Sequence, residues 1–100
     1  KEIEILENKD LQEELNIVFK IQLGTYLESM KNSSVFTEMN VEETVVNGTY
    51  KYLLVVGNNK KEADKLKLKH RSGKFPGAFI VAFYDEEQIS VKEALDLQNK

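Results

Sequence analysis

Between Val18 and Tyr26 apolar and polar side chains alternate: Phe19, Ile21 and Leu23 point one way, Lys20 and Gln22 the other. A period of two marks a strand with one buried face, and Gly24 supplies a turn near its end. A similar arrangement returns in Leu53-Leu-Val-Val-Gly57, where an apolar run passes through glycine into a helical pattern at Asn59. Two such β-turn-α beginnings predict a small two-layer α+β domain with a pseudo-repeat.

The stretches around these two elements follow from local chemistry. Residues 1–16 are acidic and lack glycine and proline, with Leu11 and Leu15 spaced for one helix face; they read as a linker or a short N-terminal helix. Asn32, Ser33 and Ser34 can cap a short helix carrying Val35, Phe36 and Met39. Val41–Val46 and Gly48–Val56 read as a hairpin, because Asn47-Gly48 tolerates the positive φ of a type I′ turn. Asn59 opens the main helix with Glu62 three residues on, and Ala63, Leu66 and His70 form its apolar stripe. Ser72-Gly73 stops it, and Pro76-Gly77 leads into a strand with Phe79, Val81 and Phe83 on one face and Ala78, Ile80, Ala82 and Tyr84 on the other. Asp85-Glu-Glu-Gln reads as a turn, Ile89 as the close of a short strand. Ser90-Val-Lys-Glu93 then opens a short C-terminal helix.

The order strand, small helix, strand, strand, helix, strand predicts a two-layer α+β sandwich. A four-stranded antiparallel sheet carries two main helices on one face, with a short C-terminal helix added. One domain spans 17–97. A sheet covered on one side leaves the other side for a ligand.

Composition narrows the class. One hundred residues suit a single domain, and 41% apolar with 31% charged residues is ordinary for a water-soluble fold. The longest apolar run, Ala78–Tyr84, has strand length, well short of the roughly 20 residues that span a bilayer. Lys1-Glu-Ile-Glu shows no signal-peptide pattern, and an opening without methionine reads as a processed or excised piece. The absence of cysteine excludes disulfides, thiolate catalysis and cysteine-metal sites. The net charge of -3 is unevenly spread: residues 1–43 hold ten acids and four bases, residues 60–74 seven bases and two acids. That balance argues against avid, indiscriminate nucleic-acid binding.

With these residues in view, the chain resembles a SPOR domain, the sporulation-related repeat that binds peptidoglycan. The likeness rests on Phe19-Lys-Ile-Gln-Leu-Gly-Thr-Tyr26, Tyr50-Lys-Tyr52 with Val56-Gly57, Lys61-Glu-Ala-Asp-Lys-Leu66, and Phe75-Pro-Gly-Ala-Phe-Ile-Val81, in the family's order over roughly residues 17–84. Two stretches depart from it: Met30–Met39 lacks the usual alanine-leucine series, and Tyr50-Lys51 stands where tyrosine-arginine is common. The resemblance implies a ferredoxin-like topology and a sheet that binds peptidoglycan glycan strands stripped of stem peptides. It further implies a non-catalytic module in the periplasm or cell envelope, within a longer anchored or exported protein involved in division or wall remodelling. Envelope or divisome proteins are then further partners. The alternative is a structural or protein-interaction domain of the envelope that binds no glycan.

Six residues are candidates for ligand contact: Lys20, Gln22, Tyr26, Tyr50, Lys51 and Tyr52. The Gln22 amide can donate to and accept from sugar hydroxyl and acetamido groups, and Lys20 shares its face. Tyr50 and Tyr52 lie on one face of their strand and Lys51 on the other. Leu53–Val56 is apolar on both faces and leaves open which of the two is uncovered. Tyr26 can rim a groove, with Tyr84 in the corresponding place on the last strand. A solvated helix face accounts for most of Lys60, Lys61, Lys65, Lys67, Lys69, Arg71 and Lys74; a role toward an anionic surface or polymer is the alternative. No cofactor is expected. The sole histidine, His70, lacks a catalytic companion, and no Gly-x-Ser-x-Gly, Walker or HExxH pattern occurs. Glu42 and Glu43 are adjacent on a strand and face opposite ways, so they cannot easily act together as a glycosidase pair. Asp85, Glu86 and Glu87 could hold calcium loosely, although their loop lacks the full alternating ligand series.

Overall fold

The computed structural model describes residues 16–37 and 39–99. The segment read as an N-terminal linker or helix lies outside the described residues, apart from Asn16. The elements run β1 (Ile17–Tyr26), β2 (Val41–Val46), β3 (Thr49–Gly57), α1 (Lys60–Arg71), β4 (Phe79–Tyr84), β5 (Glu87–Ile89) and α2 (Val91–Gln98). The five strands form one curved sheet in the order β2-β3-β1-β4-β5, with antiparallel pairing throughout.

Alternation along β1 decides which layer each side chain enters. Ile17, Phe19, Ile21 and Leu23 are buried and the residues between them are half-buried. Phe19 and Ile17 pack with Ala63 of α1, Ala82 of β4 and Ala94 of α2, so both helices lie on the same side of the sheet. Alanine at these contacts lets the helices approach closely. Burying Ile17, Phe19 and Ile21 contributes about 1.5–3 kcal/mol each.

The rest of that side is covered without a helix. In place of the small helix expected around Val35–Met39, the described residues of this stretch form successive turns. Phe36 N–H donates to the Ser33 carbonyl at 3.0 Å and Met39 N–H to the Phe36 carbonyl at 3.0 Å. Ser33 Oγ accepts from Val35 N–H at 3.2 Å, the local competition by which serine disfavours a helix interior. Tertiary packing holds the segment instead: Phe36 stacks on Tyr52 with centroids 4.5 Å apart and on Phe75 at 5.6 Å. The described residues thus form two helices, the second being the short C-terminal one.

Among the described residues the sheet has five strands where four were expected. The difference lies at Asp85 and Glu86, which adopt φ of 51° and 73° and make a two-residue hairpin turn without glycine. Glu87–Ile89 then pairs back on β4, with Ala82 opposite Ile89 and Phe83 opposite Gln88. At the other hairpin Asn47 and Gly48 take φ of 51° and 80°, as a type I′ turn requires.

The helix ends are capped as their sequences imply. Asn59 Oδ1 accepts from Glu62 N–H at 3.0 Å, and Ser90 with Glu93 completes a reciprocal capping box. Gln98 Nε2 donates to the Asn58 carbonyl at 2.8 Å and ties the end of α2 to the start of α1.

Candidate functional site

Register decides what the uncovered side of the sheet presents. Directly paired residues share a face, and Gln22 is opposite Leu53 on β3 and Phe79 on β4. The same rule places Glu42 beside Leu53, Thr44 beside Lys51 and Phe83 beside Gln88. These residues, with Lys20, Val46, Val81 and Glu86, line a shallow groove of ≈ 750 Å³ across the open face.

The groove has an apolar floor and a polar rim. Leu53 and Val81 are buried in the floor, whereas the Phe79 ring is 46% exposed. Lys20 Nζ is held 2.7 Å from Glu42 Oε1 and 4.5 Å from the Phe83 ring centroid, an ion pair and a cation–π contact at once. Its charge is therefore already matched inside the groove. Gln22 Nε2 donates to Thr25 Oγ1 at 3.2 Å, leaving its carbonyl oxygen and second N–H for a ligand. Lys51 is half-buried and makes no ion pair among the described residues.

The six candidates divide between the two sides. Lys20, Gln22 and Lys51 come together in the groove. Tyr26, Tyr50 and Tyr52 lie on the opposite, covered side, where all three pack into the core around Ile21 and Phe36. Tyr52 is 0% exposed; its hydroxyl donates to Glu43 Oε2 at 2.7 Å and accepts from Met30 N–H. A ligand on the open face cannot reach that ring. Its bonds have another consequence: Ser29 Oγ also donates to Glu43 Oε2, at 2.6 Å. Ser29 first and Tyr52 second hold the Glu43 carboxyl below its ordinary value.

Two bulges explain how the tyrosines come to face the core. Pairing of β1 with β3 shifts between Phe19 and Lys20 and again between Gln22 and Gly24. At the second shift the Tyr26 ring folds over Gly24, where an added Cβ would lie 2.8 Å from the tyrosine hydroxyl. Gly24 makes room for a ring that also packs on Phe36 and Tyr52.

Sequence reading missed Phe79, Thr44 and Gln88. The alternation of Phe79, Val81 and Phe83 signalled an aromatic-rich face, but the apolar partners Ala78, Ile80 and Ala82 masked which side was open.

Among the described residues no three His, Cys, Asp or Glu side chains are grouped to hold a metal ion. His70 is held below its ordinary value, first by burial and then by the neighbouring Lys69 charge. No helix among the described residues is long and apolar enough to cross a membrane. Comparison with known proteins returns no matching family model, curated protein or solved structure.

Proposed function

We propose that this chain is a SPOR-like module whose open sheet face binds peptidoglycan glycan strands, placing a larger envelope protein at the wall or division site. One observation carries the reading: a concave groove that combines an apolar, aromatic floor with an amide and an ammonium at its rim. A pyranose ring offers the matching surfaces, an apolar C–H face to lie on Phe79 and hydroxyl or acetamido groups for Gln22 and Lys51. The strand order β2-β3-β1-β4 supports the reading, since it is the arrangement expected of two interleaved βαβ-like halves. Binding of this kind needs no bond breaking, and the module acts without catalysis, in the periplasm or cell envelope.

The groove is better suited to a neutral or weakly anionic glycan than to nucleic acid. Its two lysines share it with Glu42 and Glu86, and the Lys20 charge is matched by Glu42. A second reading is a protein partner covering the same face, favoured by the exposure of Phe79, Val46 and Val55.

Pelleting with purified sacculi, before and after amidase treatment, separates the two. Glycan binding predicts co-sedimentation, stronger with treated wall and lost in Gln22→Ala/Phe79→Ala. A protein-interaction domain remains in the supernatant with both walls.

A further inference from the structure

Helix α1 shows a second surface, on the side of the molecule opposite the groove. It packs inward through Ala63 and Leu66, so Lys61, Lys65 and Lys69 recur at helical spacing along its exposed face. Between them stands Leu68, 62% exposed. The acids nearby do little to neutralise the stripe. Asp64 is engaged by Lys60 at 2.7 Å, and Glu62 sits at the N-terminal end. On the neighbouring α2, Asp96 is paired with Lys92 and Glu93 turns back to its own helix cap. Arg71 and Lys74, both exposed, extend the positive charge past the C-terminal end of the helix.

We propose that this face docks on an anionic phospholipid bilayer, the lysines engaging headgroup phosphates and Leu68 entering the interface. Charge complementarity selects an anionic partner, and the exposed leucine amid the lysines selects a lipid surface over a fully hydrated polyanion. With the helices on one side of the sheet and the groove on the other, a docked domain turns its groove away from the membrane. Docking through this face is independent of what the groove binds.

Flotation with vesicles of 30 mol% phosphatidylglycerol in phosphatidylcholine tests it, alongside pure phosphatidylcholine vesicles and soluble heparin. The whole chain should bind the anionic vesicles and release them as salt rises. Lys61→Gln/Lys65→Gln/Lys69→Gln should lower partitioning on the order of 100-fold, following the per-lysine contribution near an anionic surface. Leu68→Ser should weaken vesicle binding and leave any heparin binding unchanged. Circular dichroism establishes that each variant is folded, and sacculus pelleting by the triple variant should match the parent. No flotation, equal binding to neutral vesicles, or unaltered binding by a folded triple variant would overturn the proposal. So would heparin binding without vesicle binding.

Discussion

Removing one oxygen atom from Tyr52 separates the architecture from the binding surface. In Tyr52→Phe the ring remains, with its stack on Phe36 at 4.5 Å and its tilted contact with Tyr26 at 5.7 Å. Two hydrogen bonds disappear, one from Met30 N–H and one to Glu43. The Met30 amide is partly buried and loses its acceptor, a cost in the range of about 1–3 kcal/mol for an unsatisfied donor. Glu43 is exposed and regains water, so the amide dominates and the expected loss is about 1–2 kcal/mol at neutral pH. For a chain of this length that lowers Tm by roughly 5–15 °C. The loss should also depend on pH. The folded Glu43 carboxyl titrates below its ordinary value of 4.5, so its contribution is present above that pH and fades as pH falls through the folded value. Tyr52→Phe removes one cause of the depression, and the gap between parent and variant should narrow as the solution is acidified through this window. Urea titrations followed by far-ultraviolet circular dichroism at pH 7 and near pH 3 measure both effects. A variant as stable as the parent at pH 7, or a gap that widens in acid, would refute the assigned bonds. Wall pelleting should be unchanged, since Tyr52 lies beneath the sheet.

Three further changes probe the same framework. Gly24→Ala puts a Cβ 2.8 Å from the Tyr26 hydroxyl and 2.9 Å from its ring, so the tyrosine must shift in its packing on Phe36 and Tyr52. A loss of about 1–3 kcal/mol in thermal melts is expected, and an unchanged Tm would contradict the folded-over ring. Glu86→Gly relieves a φ of 73° at a residue bearing a side chain and should raise stability by about 0.5–1 kcal/mol, the strain relief being partly offset by added freedom in the unfolded chain. A drop in stability would argue against the two-residue turn. His70 titrates below 6.5 in the folded protein, so the unfolded chain binds more protons just below that pH. Stability should therefore fall as pH drops from 7.5 through 6.5, and His70→Gln should flatten that slope in urea midpoints; an unchanged slope would remove His70 as its source.

How much of this was legible depends on how many faces of each strand are covered. In β1, Lys20 and Gln22 interrupt Phe19, Ile21 and Leu23, and alternation assigns both faces as far as the bulge before Gly24, beyond which Tyr26 turns to the core. In β3, Tyr52 and Leu53 are adjacent and both buried, one under Phe36 and the other in the groove floor, so no alternation survives to orient the tyrosines. The bulges opposite β3 also carry no signal beyond Gly24. The same double coverage hid Phe79 on β4. The turn at Asp85-Glu86 lacks the glycine that announces its counterpart at Asn47-Gly48, and only Ile89 marks β5 in the sequence. Around Phe36, capping residues suggested a helix, while aromatic stacking on Tyr52 and Phe75 favoured turns.

The central claim is that the open face, through Gln22, Lys51 and Phe79, holds a glycan strand. Its most direct test is co-sedimentation of the chain with amidase-treated sacculi, comparing the parent with Gln22→Ala/Lys51→Ala/Phe79→Ala after circular dichroism has shown both to be folded. The account predicts that the parent pellets and the folded triple variant stays in solution. Undiminished pelleting of the variant, or a parent that pellets with neither treated nor untreated wall, would contradict it.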